Sequence, residues 1–121
     1  MKVMALIYGD SSVWETFSDA EREAVYERYR AFADEARQAG VMVGGGELAS
    51  PRDATTVRVR GDESLVTDGP YAEVKEALGG YFVFDVETMD DAVDFAAKIP
   101  GAEHGAVEVR PIYVDPAEVQ L

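Results

Sequence analysis

Apolar and polar positions along the first forty residues follow a strand pattern and then a helix pattern. Residues 3–8 form an apolar run that predicts a buried first strand. Residues 10–17, which contain the only tryptophan, are predicted to form a loop. Ser18 and Glu21 have the spacing of a capping box, and Gly40 is a typical residue just past a helix end. Between them, apolar side chains recur at helical spacing on Val25, Tyr29, Phe32, Ala33 and Ala36.

The middle of the chain reads as a glycine-interrupted strand followed by a hairpin. Val41-Met42-Val43 begins a second strand, and the glycines 44–46 indicate a bulge, a bend or a close approach to the backbone. Residues 55–60 and 64–67 flank a short polar turn and predict a β-hairpin. Residues 71–78 are polar and irregular, with room for one helical turn.

The last third of the chain predicts a strand, a helix and a strand. Residues 81–86 are rich in aromatic and β-branched side chains, as buried strands are. Thr88 is placed to cap a second helix, which Pro100 and Gly101 end. Residues 106–112 predict the final strand.

Without the inserted hairpin, the element order is βαββαβ, which is the ferredoxin-like order. We therefore predict an α+β fold in which two helices cover one face of an antiparallel sheet. The strand at residues 81–86 is apolar on both faces, so the second face also needs a cover. A second copy would supply it, and we predict a homodimer with facing sheets, a dimeric α+β barrel. Residues 1–114 are expected to form one domain and residues 115–121 a C-terminal tail.

Composition narrows the possible partners. The 121 residues suffice for one domain, and the net charge of −13 disfavours nucleic acids and anionic membrane surfaces. The absence of cysteine excludes disulfides and thiolate metal sites. The first apolar run is too short for a signal peptide or a membrane span, so a cytoplasmic location is expected.

One polar segment stands out, VTDGPYAEVKEALGGY at residues 66–81, and it resembles the signature of the DGPF proteins within the YCII-related family. The glycine-rich residues 44–48 and the closing residues 108–111 extend the resemblance over most of the chain. Tyr71 stands where the family usually has phenylalanine, and Val74 where a small hydroxyl residue is common. The resemblance implies a ferredoxin-like dimer and says much less about activity.

The charged residues of this segment are the candidate catalytic groups. Asp68 and Glu76 are candidates for acid or base, with Lys75 as their electrostatic partner and Glu73 as a binding group. Each also has a structural interpretation. Asp68 can satisfy the backbone of the turn before Gly-Pro, and the other charges can form a solvated face.

Three further residues are candidate substrate-binding groups: Tyr8, Tyr71 and Arg110. Tyr8 alternatively belongs to the core, and Arg110 alternatively pairs with Glu108 on the last strand. The only histidine, His104, is expected in an exposed loop and cannot by itself anchor a transition metal. No metal site is predicted, and no cofactor motif is present.

Two functional hypotheses and one structural alternative follow. The first is a small-molecule binder or cofactor-independent acid–base enzyme, with its pocket near residues 68–76 and the dimer interface. The second is a non-catalytic dimeric accessory protein with a regulatory protein partner, because the resemblance also implies a link to sigma-factor-dependent transcription. In the third, residues 68–76 only build the interface.

Overall fold

A computed structural model describes residues 1–114 and Ala117 of the chain. The predicted tail, residues 115–121, otherwise lies outside the described residues. The elements in chain order are β1 (Lys2–Gly9), α1 (Ser11–Glu15), α2 (Asp19–Gln38), β2 (Met42–Glu47), β3 (Thr55–Arg60), β4 (Glu63–Asp68), β5 (Ala77–Asp85), α3 (Met89–Ala96) and β6 (Ala106–Pro111). Short 3-10 turns lie at Pro51–Asp53 and Pro100–Glu103. None of the described helices is long and apolar enough to cross a membrane.

The main sheet has four antiparallel strands in the order β2-β5-β1-β6. This α+β arrangement is compatible with the predicted ferredoxin-like fold. Strands β3 and β4 form a separate two-stranded sheet, so the predicted hairpin is present and lies outside the main sheet. The sheet therefore has two central strands, β1 and β5, whose ends position the candidate site.

The hydrophobic core lies on the helix-covered face of the sheet. Val3 and Ala5 of β1 and Phe84 of β5 are fully buried there. Helices α2 and α3 contribute to the same cluster, which also contains Phe32, Ala36, Ala92, Ala96 and Ile99. Side chains alternate across a strand, so Val3, Ala5 and Ile7 point toward the helices. Met4 and Leu6, which lie between them, point to the opposite, uncovered face.

The predicted helix caps are confirmed. The Ser18 hydroxyl accepts a hydrogen bond from the Glu21 N–H at 3.1 Å, and the Glu21 carboxylate accepts one from the Ser18 N–H at 2.9 Å. Gly40 follows α2 with a φ of 74°, in the left-handed region. The Thr88 hydroxyl accepts from the Asp91 N–H at 3.1 Å at the start of α3. Local signals of this kind place both helix starts correctly.

Two loop predictions are wrong. Residues 11–15 of the predicted loop 10–17 form α1, whose N-cap Asp10 accepts from the backbone and hydroxyl of Ser12. Five residues are too few to show helical periodicity, so the pattern missed this helix. The allowance for a helical turn in residues 71–78 is also wrong, because residues 71–76 are irregular with bends at each end and β5 begins at Ala77.

The triple glycine lies within β2 rather than ending it. The strand runs from Met42 to Glu47, and its pairing with β5 shifts register between Met42 and Gly44. From the sequence, the glycines indicate a bulge, a bend or a close approach to the backbone. The structure contains a bulge between Met42 and Gly44 and a close approach at Gly45.

Candidate functional site

The end of β1 and the start of β5 bring two distant polar segments together. Gly9 pairs with Ala77 and Tyr8 pairs with Leu78 in the antiparallel register of these strands. Residue 10 therefore leaves β1 at the same end of the sheet at which residues 75 and 76 enter β5. We call this end, where β1 stops and β5 starts, the loop end of the sheet.

Asp10 is a hydrogen-bonded carboxylate at the loop end. It accepts hydrogen bonds from the Ser12 hydroxyl at 2.6 Å and the Ser12 N–H at 3.0 Å. These bonds, led by the hydroxyl, lower the pKa of Asp10, and the positive charge of Lys75 lowers it further by a smaller amount. Asp10 is consequently ionised at neutral pH. It is not among the candidate residues predicted from the sequence, although aspartate is a preferred N-cap residue.

The remaining charged residues of the candidate segment are solvent-exposed. Glu73, Lys75 and Glu76 lie in the bends before β5, and Asp68 ends β4. Within the part of the chain that the structure describes, none of these four side chains forms a hydrogen bond or a close ion pair. Their charges are therefore available to a ligand or to another chain, and the charge of Lys75 also has a small effect on Asp10.

Two contacts connect the surrounding loops to the loop end. Arg52, in the turn after β2, pairs with Glu15 of α1 at 2.5 Å. Tyr71 lies under the Arg58 guanidinium, which is 5.7 Å from the ring centroid, while 80% of Tyr71 remains exposed. Three segments thus surround the loop end of the sheet: the loop after β1, the turn after β2 and the segment before β5.

A shallow depression lies beside the loop end. Its volume is about 230 Å³, and it is lined by Ser11, Ser12, Glu15, Ser50, Pro51 and Arg52. Ser11 and Ser12 follow Asp10 directly in the chain, and none of the lining residues belongs to the candidate set from the sequence. No group of three metal-ligating side chains occurs among residues 1–114 and 117.

Tyr8 lies on the uncovered face of the sheet, where it is half-buried. The same face carries a row of other partly buried apolar side chains: Met4, Leu6, Leu78, Tyr81 and Val83. The Tyr81 ring extends over Gly46 of β2, at which an added Cβ would lie 3.4 Å from the ring. This uncovered face is thus an apolar surface that reaches the loop end at Tyr8.

Arg110 does not join the other candidates within one chain. Tyr8 pairs with Ala106 and Met4 pairs with Arg110, so Arg110 is four positions along β6, about 13 Å from the loop end. Its Nε lies 3.7 Å from the Glu108 carboxylate, which corresponds to the ion pair weighed from the sequence. His104 is 86% exposed, as expected of a loop histidine.

An aromatic cluster supports the loop end from the helix side. Trp14 of α1 packs edge-to-face on Tyr26 of α2 at 5.5 Å and also contacts Phe17. The Tyr26 hydroxyl donates to the Glu47 carboxylate at 3.0 Å, which connects α2 to the end of β2. Burial and the Glu47 carboxylate raise the pKa of Tyr26, so the phenol stays protonated and keeps this bond.

Comparison with known proteins places the chain in a family. A family model described as the YCII-related domain matches residues 1–114. The chain belongs to the YCII-related family. An uncharacterized protein of Rhizobium meliloti (strain 1021), R00369, is 35% identical over 114 residues, covering 93% of this chain and 92% of that protein. The match confirms the resemblance carried by residues 66–81 and extends over nearly the whole YCII-related chain.

Proposed function

We propose that this YCII-related protein binds a small molecule at the loop end of the sheet and performs cofactor-independent acid–base chemistry there. The observation that carries the proposal is the β1–β5 register, which brings the residues after Gly9 and the residues before Ala77 to the same end of the sheet, next to the half-buried Tyr8. The carboxylate of Asp10, the charge of Lys75 and the Tyr8 hydroxyl are thus all available at the rim of an apolar surface. This is the combination that ligand sites commonly use to hold a substrate and orient it.

Each group has a distinct chemical role in this proposal. Lys75 holds a negative or developing negative charge of the substrate, as an unpaired lysine near a site can. Asp68 and Glu76 act as base and acid, because a proton must be taken from one position and returned at another. Tyr8 donates its hydroxyl to a substrate oxygen, and Tyr71 and Glu73 contribute to binding at the exposed rim.

The proposal includes a homodimer with facing sheets. The uncovered face exposes an apolar row around Leu6, Tyr81 and Val83, and covering it with a second copy would remove this surface from water. Such a dimer also provides a role for Arg110, which lies on the same face with Glu108. Arg110 would then face the second copy and supply a positive charge to a site between the subunits.

A thermal-shift screen of neutral and charged metabolites tests the small-molecule proposal. A ligand present at 100 times its Kd stabilises the folded state by about 2.7 kcal/mol, which raises Tm by several degrees. We expect at least one stabilising compound for the wild-type chain. Its effect should disappear in Glu76→Gln and Lys75→Met, whose side chains are exposed, so that Tm without the compound stays unchanged.

The matched control is Glu87→Gln, an exposed carboxylate beyond the opposite end of β5. This variant should keep the full ligand-induced shift. A screen without any stabilising compound argues against the small-molecule proposal, and so does a shift that survives in Glu76→Gln. Capture of a specific regulatory protein together with an empty screen would favour the accessory-protein hypothesis.

A further inference from the structure

The β3–β4 hairpin has little cover from the rest of the described chain. It forms a two-stranded sheet of its own, and all six residues of β4 are exposed. In β3 only Thr56 and Arg58 are half-buried. Two-stranded hairpins are at best marginally stable alone in water, so this one requires a surface on which to pack.

The base of the hairpin is nevertheless well defined. The Gly69 N–H donates to the Ala54 carbonyl at 2.7 Å, and the Thr56 hydroxyl donates to the Gly69 carbonyl at 2.8 Å. Gly69 has a φ of 98°, which a residue with a side chain rarely adopts. The hairpin therefore leaves the domain in a defined direction.

One face of the hairpin is apolar and open to solvent. Cross-strand partners share a face, and the register pairs Val57 with Val66 and Val59 with Ser64. Val57 is 61% exposed, Val59 is 60% exposed and Val66 is 65% exposed. We call Val57, Val59 and Val66 the valine face. The opposite face carries Arg58, which covers Tyr71 of the same chain.

The area needed for a stable dimer indicates what covers the valine face. Strands β1, β2, β5 and β6 have 8, 6, 9 and 6 residues, so the sheet has a flat footprint of roughly 460 Å² per copy, as estimated from strand spacing and rise. Stable interfaces bury about 800 Å² of accessible surface per partner, so a dimer held by this footprint alone is at the small end of stable interfaces. A hairpin face of two six-residue strands measures roughly 200 Å² and covers an equal area on its partner. Two exchanged hairpins would therefore nearly double the footprint of each copy.

We infer that the hairpin of each subunit crosses to a second copy of this chain and packs its valine face against it. The inference rests on the proposed dimer and deepens it, because it identifies the element that makes the dimer stable. Asp68 pairs with Thr55 and lies two residues after Val66, so it shares the valine face. Its carboxylate would then be directed at the partner, and the site near residues 68–76 would be complete only in the dimer.

Charge substitution tests the inference directly. Val57→Glu and Val66→Glu should each weaken dimerisation by tenfold or more in Kd, since burying a charge in this contact costs at least about 1.4 kcal/mol. Sedimentation velocity over a concentration series measures this Kd. The control is Val93→Glu, an equally apolar residue that is 50% exposed on α3, and its dimerisation should not change. Far-UV circular dichroism verifies that each variant is folded.

Cross-linking supplies a second measurement that does not depend on a destabilising change. The chain has no cysteine, so Val59→Cys can carry a single photo-activated cross-linker. In a mixture of ¹⁵N-labelled and unlabelled chains, we expect cross-links between labelled and unlabelled peptides. Cross-links confined to one chain would overturn the inference.

The outcomes separate this inference from the function on which it rests. A dimer whose Kd is the same in wild type, Val57→Glu and Val66→Glu overturns the hairpin contact and leaves a sheet-to-sheet dimer standing. A wild-type chain that is monomeric at micromolar concentration overturns both the contact and the dimer. Neither result depends on the ligand screen, whose failure would instead remove the proposed small-molecule site.

Discussion

The Phe82 ring of β5 occupies the space that a side chain at Gly45 of β2 would need. A Cβ added to Gly45 would lie 2.6 Å from Phe82 Cδ1 and 2.6 Å from the Tyr81 carbonyl oxygen. The ring cannot easily move, because it stacks on Phe84 with centroids 6.2 Å apart and packs against Phe32 at 5.2 Å. The middle glycine of the triplet is thus required by close packing between neighbouring strands.

Gly45→Ala should therefore destabilise the fold, and Gly44→Ala should not. Overpacking a well-packed contact costs about 1–3 kcal/mol, whereas an added Cβ at Gly44 meets no atom within 4 Å. Urea unfolding followed by circular dichroism measures both variants. Equal stability of the two would show that β2 and β5 move apart freely at this position.

Tyr29 should contribute to stability through its hydroxyl. The hydroxyl accepts a hydrogen bond from the Gly101 N–H at 3.1 Å, which connects α2 to the turn after α3. Tyr29→Phe leaves this partly buried N–H without its partner, at an expected loss of about 1 kcal/mol in the free energy of unfolding. The control is Tyr26→Phe, whose hydroxyl bond to Glu47 is exposed and should contribute less.

The same residue predicts an alkaline limit to stability. Burial raises the pKa of Tyr29 above its usual value, so the fold favours the neutral phenol. Its contribution is fully present below about pH 10, the ordinary pKa of tyrosine, and is lost as pH rises through the raised value. The decline in unfolding free energy above pH 10 should be shallower in Tyr29→Phe. A decline as steep as in wild type would contradict this assignment.

Arg22 should hold helix α1 in place. Its Nη2 donates to the carbonyls of Trp14 at 3.3 Å and Glu15 at 3.4 Å, and its guanidinium lies 5.6 Å from the Trp14 ring centroid. Arg22→Ala leaves these carbonyls at the end of α1 to solvent, at a loss of about 1 kcal/mol. Because Trp14 is the only tryptophan, its fluorescence reports this change directly, and we expect a shift to longer wavelength. Arg30→Ala, which removes an exposed arginine of α2, should leave the emission maximum unchanged.

Elements defined by neighbouring residues could be predicted from the sequence. The bounds of α2 and the start of α3 follow from their caps, and the hairpin follows from alternation on both sides of a turn. Helix α1 could not be identified from periodicity, because one turn does not establish a repeat. The extent of β5 was also missed at its start, because Ala77 to Gly80 have weak strand preference and are held in the sheet by pairing with Gly9, Tyr8 and Ile7.

The candidate site was harder to predict from the sequence than the helices and strands, because it is formed by residues that are distant in the chain. Asp68, Glu73, Lys75 and Glu76 were selected because they cluster in sequence, yet they form no hydrogen bond or close ion pair with one another in the described chain. Asp10 lies outside this set, although its carboxylate is hydrogen-bonded at the same end of the sheet. Spacing along the chain cannot reveal such a relationship, which arises only from the register between β1 and β5.

The sequence by itself determined the α+β class, the capped helices, the acidic charge and the family signature at residues 66–81, because these depend on local periodicity and composition. Tertiary structure alone decided that residues 10 and 75 lie at the same end of the sheet, that Arg110 stands about 13 Å along β6 from that end, and that the hairpin leaves the sheet with its valines exposed. The physical reason is that strand pairing joins residues without regard to their separation in sequence. Each change of register by one residue would turn a different set of side chains toward the site.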